Sequence, residues 1–179
     1  MLLKNMWLHF RKICIHKYWV GYYCFKAGLY WRGITHDLSK FSPTEFFESA
    51  KYYQGDRSPI DACKEANGVS KAWQHHKGRN SHHYEYWHDN IDRGGVTHPM
   101  PFEDALELVC DFLGAGRAYY GKDFTYKKEY EWWEKKLTQP YAMNPLTIQF
   151  VDKMLKSIWF HGTDSLLFAK GEYYKIHRK

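Results

Sequence analysis

The sequence predicts an all-α helical bundle on three observations: helix starts marked by a capping residue followed by proline, apolar residues recurring at helical spacing, and almost no strand signal. Ser42-Pro43-Thr44-Glu45 has the form of a capping box with proline at the first helical position, and Gly55 stands as its stop. Ser58-Pro59-Ile60-Asp61 opens a second helix that Gly68 ends. Phe102, Ala105, Leu106, Val109, Cys110 and Leu113 keep helical spacing, which predicts a long helix over residues 101–120 closed by Gly121. Asn144-Pro145 opens another, running to about Phe160 ahead of Gly162. Valine and isoleucine never cluster in alternating runs, and no Asn-Gly or Asp-Gly pair marks a hairpin, so little or no sheet is expected. The basic tail after Gly171 is expected to fray.

At 179 residues the chain fits one domain, here 1–179, better than two. With 26 Lys and Arg against 20 Asp and Glu, the net charge of +6 favours anionic ligands. Small phosphorylated molecules, a nucleotide foremost, are the expected partners. Nucleic acid ranks lower because no binding motif accompanies the charge. The many aromatic residues can pack a core or stack on a base.

Cys14, Cys24, Cys63 and Cys110 are widely spaced with no CxxC pair, which argues against a disulfide framework or a thiolate zinc site and fits a cytoplasmic protein. The apolar run from Tyr18 to Phe25 is bordered by Lys17, Lys26 and Arg32, so it reads as a buried helix and not as a membrane span. Lys4, Arg11 and Lys12 read as a solvated face of that helix, and no membrane partner is expected. Nothing in the sequence fixes the oligomeric state.

The chemistry concentrates in eleven histidines. In Thr35-His36-Asp37-Leu38-Ser39-Lys40, adjacent imidazole and carboxylate can bind a divalent cation, and Lys40 is expected one turn later on the side of His36. An ammonium there suits a phosphate oxygen. Arg79, Arg117 and Lys122 are further candidates for holding substrate phosphate. Asp111, Gly114, Ala115 and Ala118 share one helical face, whose small residues let a neighbouring helix approach closely. Asn80 is expected to cap a helix beginning at Ser81. Glu45 and Glu48 are placed outside the catalytic set, since Glu45 already has a capping role. His9, His88, His98, His161 and His177 fit no ligand series.

Taken in order, His16, His36-Asp37-x-x-Lys40, His75/His76, His82-His83 and Asp111 resemble the ligand series of the HD-domain superfamily, including its HDxxK variant. His16-Lys-Tyr-Trp-Val20 is similar to that family's HxxxV opening, and His75 to Trp87 resembles an HHxxxNxHHxEYW stretch of a branch found in bacteria and phages. The resemblance spans about residues 16–120 and leaves helices over about 126–179 beyond it.

This resemblance implies a single-domain helical bundle of HD type holding one or two divalent metal ions. His16, His36, Asp37 and Asp111 would enclose the first, with Asp37 able to bridge. His75 or His76, with His82 and His83, would serve the second, and the spacing leaves the choice between His75 and His76 open. Lys12, one turn ahead of His16, argues against a third ion. Nitrogen and oxygen ligands admit Fe, Mn, Zn, Co or Ni, with Fe or Mn preferred by resemblance. The activity implied is phosphohydrolysis of a nucleotide or other small phosphoester through metal-activated water, with Asp37 and Lys40 as the catalytic pair. An HD-type di-iron oxygenase and a non-catalytic nucleotide-binding protein are the alternatives.

Overall fold

The computed structural model describes residues 2–138 and 142–178. Its helices are α1 (Leu2–Lys26), α2 (Tyr30–Thr35), α3 (Pro43–Lys51), α4 (Pro59–Asn67), α5 (Lys71–Lys77), α6 (Phe102–Tyr120), α7 (Tyr126–Leu137), α8 (Pro145–His161) and α9 (Ala169–His177). Short 3-10 segments link several of them, and the fold is all-α. The sheet among the described residues is a minimal antiparallel pair, β1 (His88–Asp89) with β2 (Val96–Thr97). No helix among them is long and apolar enough to cross a membrane.

The proline starts act as their chemistry demands. Pro43, Pro59 and Pro145 each occupy the first turn, where the missing N–H costs nothing, behind Ser42, Ser58 and Asn144. Ser42 Oγ accepts from the Glu45 N–H, and Asn144 Oδ1 accepts from the Leu146 N–H. Gly68 and Gly121 close α4 and α6 at positive φ.

The central helix is α6, buried on nearly every side, with α1, α7, α8 and α9 packed around it. Trp133, Phe150, Met154, Leu155 and Ile158 fill the space between α6, α7 and α8. On the other side α1 approaches so closely that a Cβ on Gly114 would lie 2.3 Å from Val20 Cγ2 and 2.9 Å from the Val20 backbone nitrogen. Only glycine permits that approach, and it sets α1 and α6 at the distance the site requires.

Four local expectations need correction. The helix after Ser42 stops at Lys51 with Tyr52 as its cap, ahead of Gly55. No helix starts at Ser81, because the Asn80 amide donates to the His76 carbonyl and to Ser39 Oγ instead of capping forward. The basic tail is helical as α9, held by buried Ile176 and by the Tyr173 hydroxyl donating to the Met100 carbonyl. The Tyr18–Phe25 run buries Val20, Tyr23 and Cys24, but it leaves Tyr18, Tyr22 and Phe25 exposed.

Candidate metal centre

Four elements bring the donors together. His16 projects from the buried face of α1, His36 caps the C-terminus of α2, Asp37 follows it, and Asp111 lies on α6 one turn before Gly114. Asp37 adopts a left-handed backbone with φ 54°, a conformation that aspartate tolerates better than most residues. That turn ends α2 and begins a 3-10 segment, Leu38–Phe41. In its tighter winding Lys40 faces Asp37 and not His36: the ammonium lies 2.5 Å from Asp37 Oδ2.

His16 Nε2 lies 3.4 Å from Asp37 Oδ2, 3.1 Å from Asp111 Oδ1 and 3.4 Å from His36 Nε2. His36 Nε2 is 3.2 Å from Asp37 Oδ2 and 3.5 Å from Asp111 Oδ1. Atoms about 2 Å from one shared ion would show separations of this size. All four residues are buried.

The second oxygen of Asp37 belongs to a different group. Oδ1 lies 3.3 Å from His76 Nε2 and 3.4 Å from His82 Nε2, and His76 Nε2 is 2.9 Å from His83 Nε2. These donors, like the first set, all fall within 4.8 Å of one another. One carboxylate thus joins two nitrogen-rich clusters.

The donor sets fit cations. Both Asp37 oxygens, Asp111 Oδ1 and His82 Nε2 are buried without a hydrogen bond, although Lys40 pairs with Asp37 by charge. Converging carboxylates and imidazole nitrogens this close repel unless positive charge sits among them. Burial alone would push the Asp37 and Asp111 carboxyls up. His36 and Lys40 around Asp37, and His16 and His36 around Asp111, hold both well below the usual carboxylate range.

A third cluster, His36 Nδ1, His82 Nδ1 and Glu107 Oε1, serves orientation instead. Glu107 Oε1 lies 2.8 Å from His36 Nδ1 and 3.3 Å from His82 Nδ1, and the Arg32 guanidinium holds the other Glu107 oxygen at 2.8 Å. With Nδ1–H donating to a carboxylate, each imidazole turns Nε2 towards its cluster. Burial opposes ionisation of Glu107, yet His36 and His82 hold its carboxyl below the usual range. Glu45 does the same for α5: its carboxylate lies 2.8 Å from His76 Nδ1 and 2.6 Å from His75 Nδ1.

The structure therefore brings together His16, His36, Asp37, Lys40, His76, His82, His83 and Asp111. It does not bring His75 into any donor group among the described residues, although that ring, like His76, holds Glu45 through Nδ1. Arg79 is exposed against the His75 carbonyl, and Lys122 is exposed on the turn after α6. The Arg117 guanidinium donates to the Tyr23 hydroxyl and stacks near Trp19 and Phe124, so it reinforces the α1–α6 contact. Sequence reasoning missed Glu107 and Arg32 and set Glu45 aside for a capping role, whereas its carboxylate turns to His75 and His76. Helical spacing held the signal for both missed residues, since Glu107 lies one turn before Asp111 and Arg32 one turn before His36.

Two cavities reach the centre. One, about 190 Å³, is bordered by His16, Lys40 and Asp111, with His9, Lys12 and Tyr119 opposite. His9, assigned no role from sequence, sits here with Nδ1 unpartnered, and burial, helped by Lys40, pushes its imidazole down to about 4. The other, about 520 Å³, runs from His83 and Asp111 past Trp73, Tyr120 and Trp132 to Glu129. Glu129 is buried with Oε2 unpartnered, and burial, helped by the Asp111 charge, pushes its carboxyl up to about 8.

Residues 5–157 match the model of a family of unknown function, DUF5662. No curated protein and no solved structure matches the chain.

Proposed function

The chain belongs to the DUF5662 family, and from its donor geometry we propose that it is a metal-dependent phosphohydrolase acting on a nucleotide or another small phosphoester. The observation that carries this reading is the division of Asp37, with Oδ2 facing His16 and His36, Oδ1 facing His76 and His82, and Lys40 alongside. The order of these residues supports placing the family beside the HD-domain superfamily. Its four free cysteines fit a reducing cytoplasm.

In this reading His16, His36, Asp37 and Asp111 hold one ion, and Asp37, His76, His82 and His83 hold a second. Fe or Mn, with Zn, Co or Ni as other candidates, would supply Lewis acidity at the phosphoryl group and lower the pKa of the attacking water. Lys40 neutralises the extra charge that builds on the phosphoryl oxygens. Asp37 orients the water, and Glu107 and Glu45 keep the imidazoles turned inward. Glu129, protonated at neutral pH, brings the proton that the departing oxygen needs. The aromatic walls of the larger cavity, Trp73, Tyr120 and Trp132, give a base or other flat group a surface to stack on. That cavity lies within the usual size range of small-molecule sites.

The test is metal analysis of the purified protein, followed by a screen of nucleotides and phosphomonoesters with Mn and Fe. His36→Ala and Asp37→Asn serve as controls. Phosphate release that both substitutions abolish supports the reading. Oxygen uptake with a mixed-valence iron signal, or stoichiometric nucleotide binding without turnover, replaces it with one of the alternatives. Full turnover in both variants ends it.

A further inference from the structure

Away from the metal centre, α1 carries a second face. Leu3, Trp7, Phe10, Cys14, Tyr18, Gly21 and Phe25 recur at spacings of four and three residues and form one stripe along the helix. The stripe lies to one side of the row that carries His9, Ile13, His16 and Val20 inward. Most of it is open: Leu3 is 81 % exposed, Trp7 64 % and Tyr18 66 %. Tyr30 of α2, in ring contact with Phe25, extends the surface, and Trp31 and Ile34 on the same short helix are exposed as well. Single exposed apolar residues are ordinary, but a continuous band of this length marks an interface.

The stripe reads the same in both directions. Its spacings run four, three, four, then four, three, four, with Cys14 at the centre. Turned about a two-fold axis through Cys14, Leu3 meets Phe25, Phe10 meets Tyr18, and Trp7, the largest side chain, meets Gly21, the smallest. Gly21 sits in a shallow apolar groove of about 510 Å³ whose walls include Tyr18, Tyr22, Phe25 and Tyr30. A helix face that matches its own reverse, large against small, is what an isologous contact requires.

We propose that α1 pairs antiparallel with the α1 of a second copy of this chain, with Trp7 of each copy seated in the groove at Gly21 of the other. The exposed aromatics of α1 and α2 present on the order of 800 Å² per copy, the amount a standard specific interface buries. Helix axes 8 to 10 Å apart place facing Cα atoms at a crossing roughly 3.5 to 5.5 Å from each other, and the wider end of that range is within disulfide reach. Cys14 is the exposed one of the four free cysteines. The helix carries Lys4, Arg11, Lys12, Lys17 and Lys26 and no acidic residue, so pairing brings like charges together. Screening by salt therefore tightens the dimer. An anionic bilayer, the other occupant such a helix could suit, would be released by the same salt.

The test uses the full-length metal-loaded protein. Light scattering after gel filtration at 50 and 500 mM NaCl is expected to show a dimer that dissociates less at the higher salt. Mild oxidation with diamide is expected to give a single cross-linked dimer on non-reducing gels, lost in Cys14→Ser while the uncross-linked dimer persists. Trp7→Lys is expected to weaken dimerisation by on the order of 100-fold, with helical content and metal content unchanged. A monomer at tens of micromolar overturns the proposal. So does a dimer that ignores Trp7→Lys or fails to cross-link through Cys14, and so does salt-sensitive binding to phosphatidylserine vesicles by a monomeric protein. None of these outcomes bears on phosphate release, so the interface and the activity stand or fall separately.

Discussion

Val20 lies against Gly114 with no room between them for a methyl group. This contact fixes the separation of α1 and α6, and with it the 3.1 Å between His16 Nε2 and Asp111 Oδ1. Gly114→Ala is expected to destabilise the protein by about 1 to 3 kcal/mol and to weaken binding at the cluster containing His16. Val20→Ala in the same chain should restore only part of both, because the added Cβ still lies 2.9 Å from the Val20 backbone nitrogen. Thermal unfolding and metal content of the two variants check this.

Glu107 holds His36 and His82, one imidazole from each cluster, so one carboxylate orients both. Glu107→Gln is expected to lower metal affinity about 10- to 100-fold without unfolding the bundle, as measured by competition against a chelating dye. His75→Ala and His76→Ala provide the contrast on α5. The first should keep full metal content, and the second should lose the ion beside His82 and His83.

Lys40 pairs with Asp37 and borders the smaller cavity. Lys40→Met is expected to reduce turnover roughly 100-fold while metal content holds, because in the proposed activity its task falls on charge that develops during reaction. Steady-state kinetics alongside metal analysis checks the separation.

Glu129 gives a pH prediction with a definite sign. Burial, helped by the Asp111 charge, pushes its carboxyl up to about 8, against an ordinary value of 4.5. Between those values the folded state keeps a proton that the unfolded state has released, so stability falls as pH rises from about 4.5 to 8. Glu129→Gln should remove that slope and stabilise the chain by about 5 kcal/mol at most at alkaline pH. It should also remove the alkaline limb of the activity profile at the cost of turnover. Urea unfolding at pH 5, 7 and 9 checks the first statement, and a pH–rate profile the second.

How far the sequence carried depends on which physics each residue obeys. Capped starts such as Ser42-Pro43 and Asn144-Pro145 are local, and the helices begin where these pairs place them. The donor residues were legible because their order along the chain carries information even when their contacts do not. His76 could be separated from His75 only after folding, since Glu45 holds both rings and the choice depends on how α5 rolls against α3. Asn80 misled because its amide bonds back to the His76 carbonyl four residues earlier and reaches across to Ser39 Oγ, a partner that no local rule anticipates. Arg117 has a charge suited to phosphate, yet neighbouring aromatic rings and Tyr23 claim it. Exposure of the outward stripe of α1 was equally hidden, because an apolar run looks the same in sequence whether one face is covered or both.

The two oxygens of Asp37 are not independent ligands, because they share one charge and one rigid backbone turn. A cation drawn to one of them would withdraw electron density from the other while orienting it, so under the proposed two-ion reading occupancy of the two clusters is thermodynamically linked. A titration with metal then follows a coupled isotherm, not the sum of two separate ones. Dilution or chelation would switch the centre off over a narrower range of free metal than either cluster alone would allow, if orientation outweighs charge, and over a broader range if charge prevails.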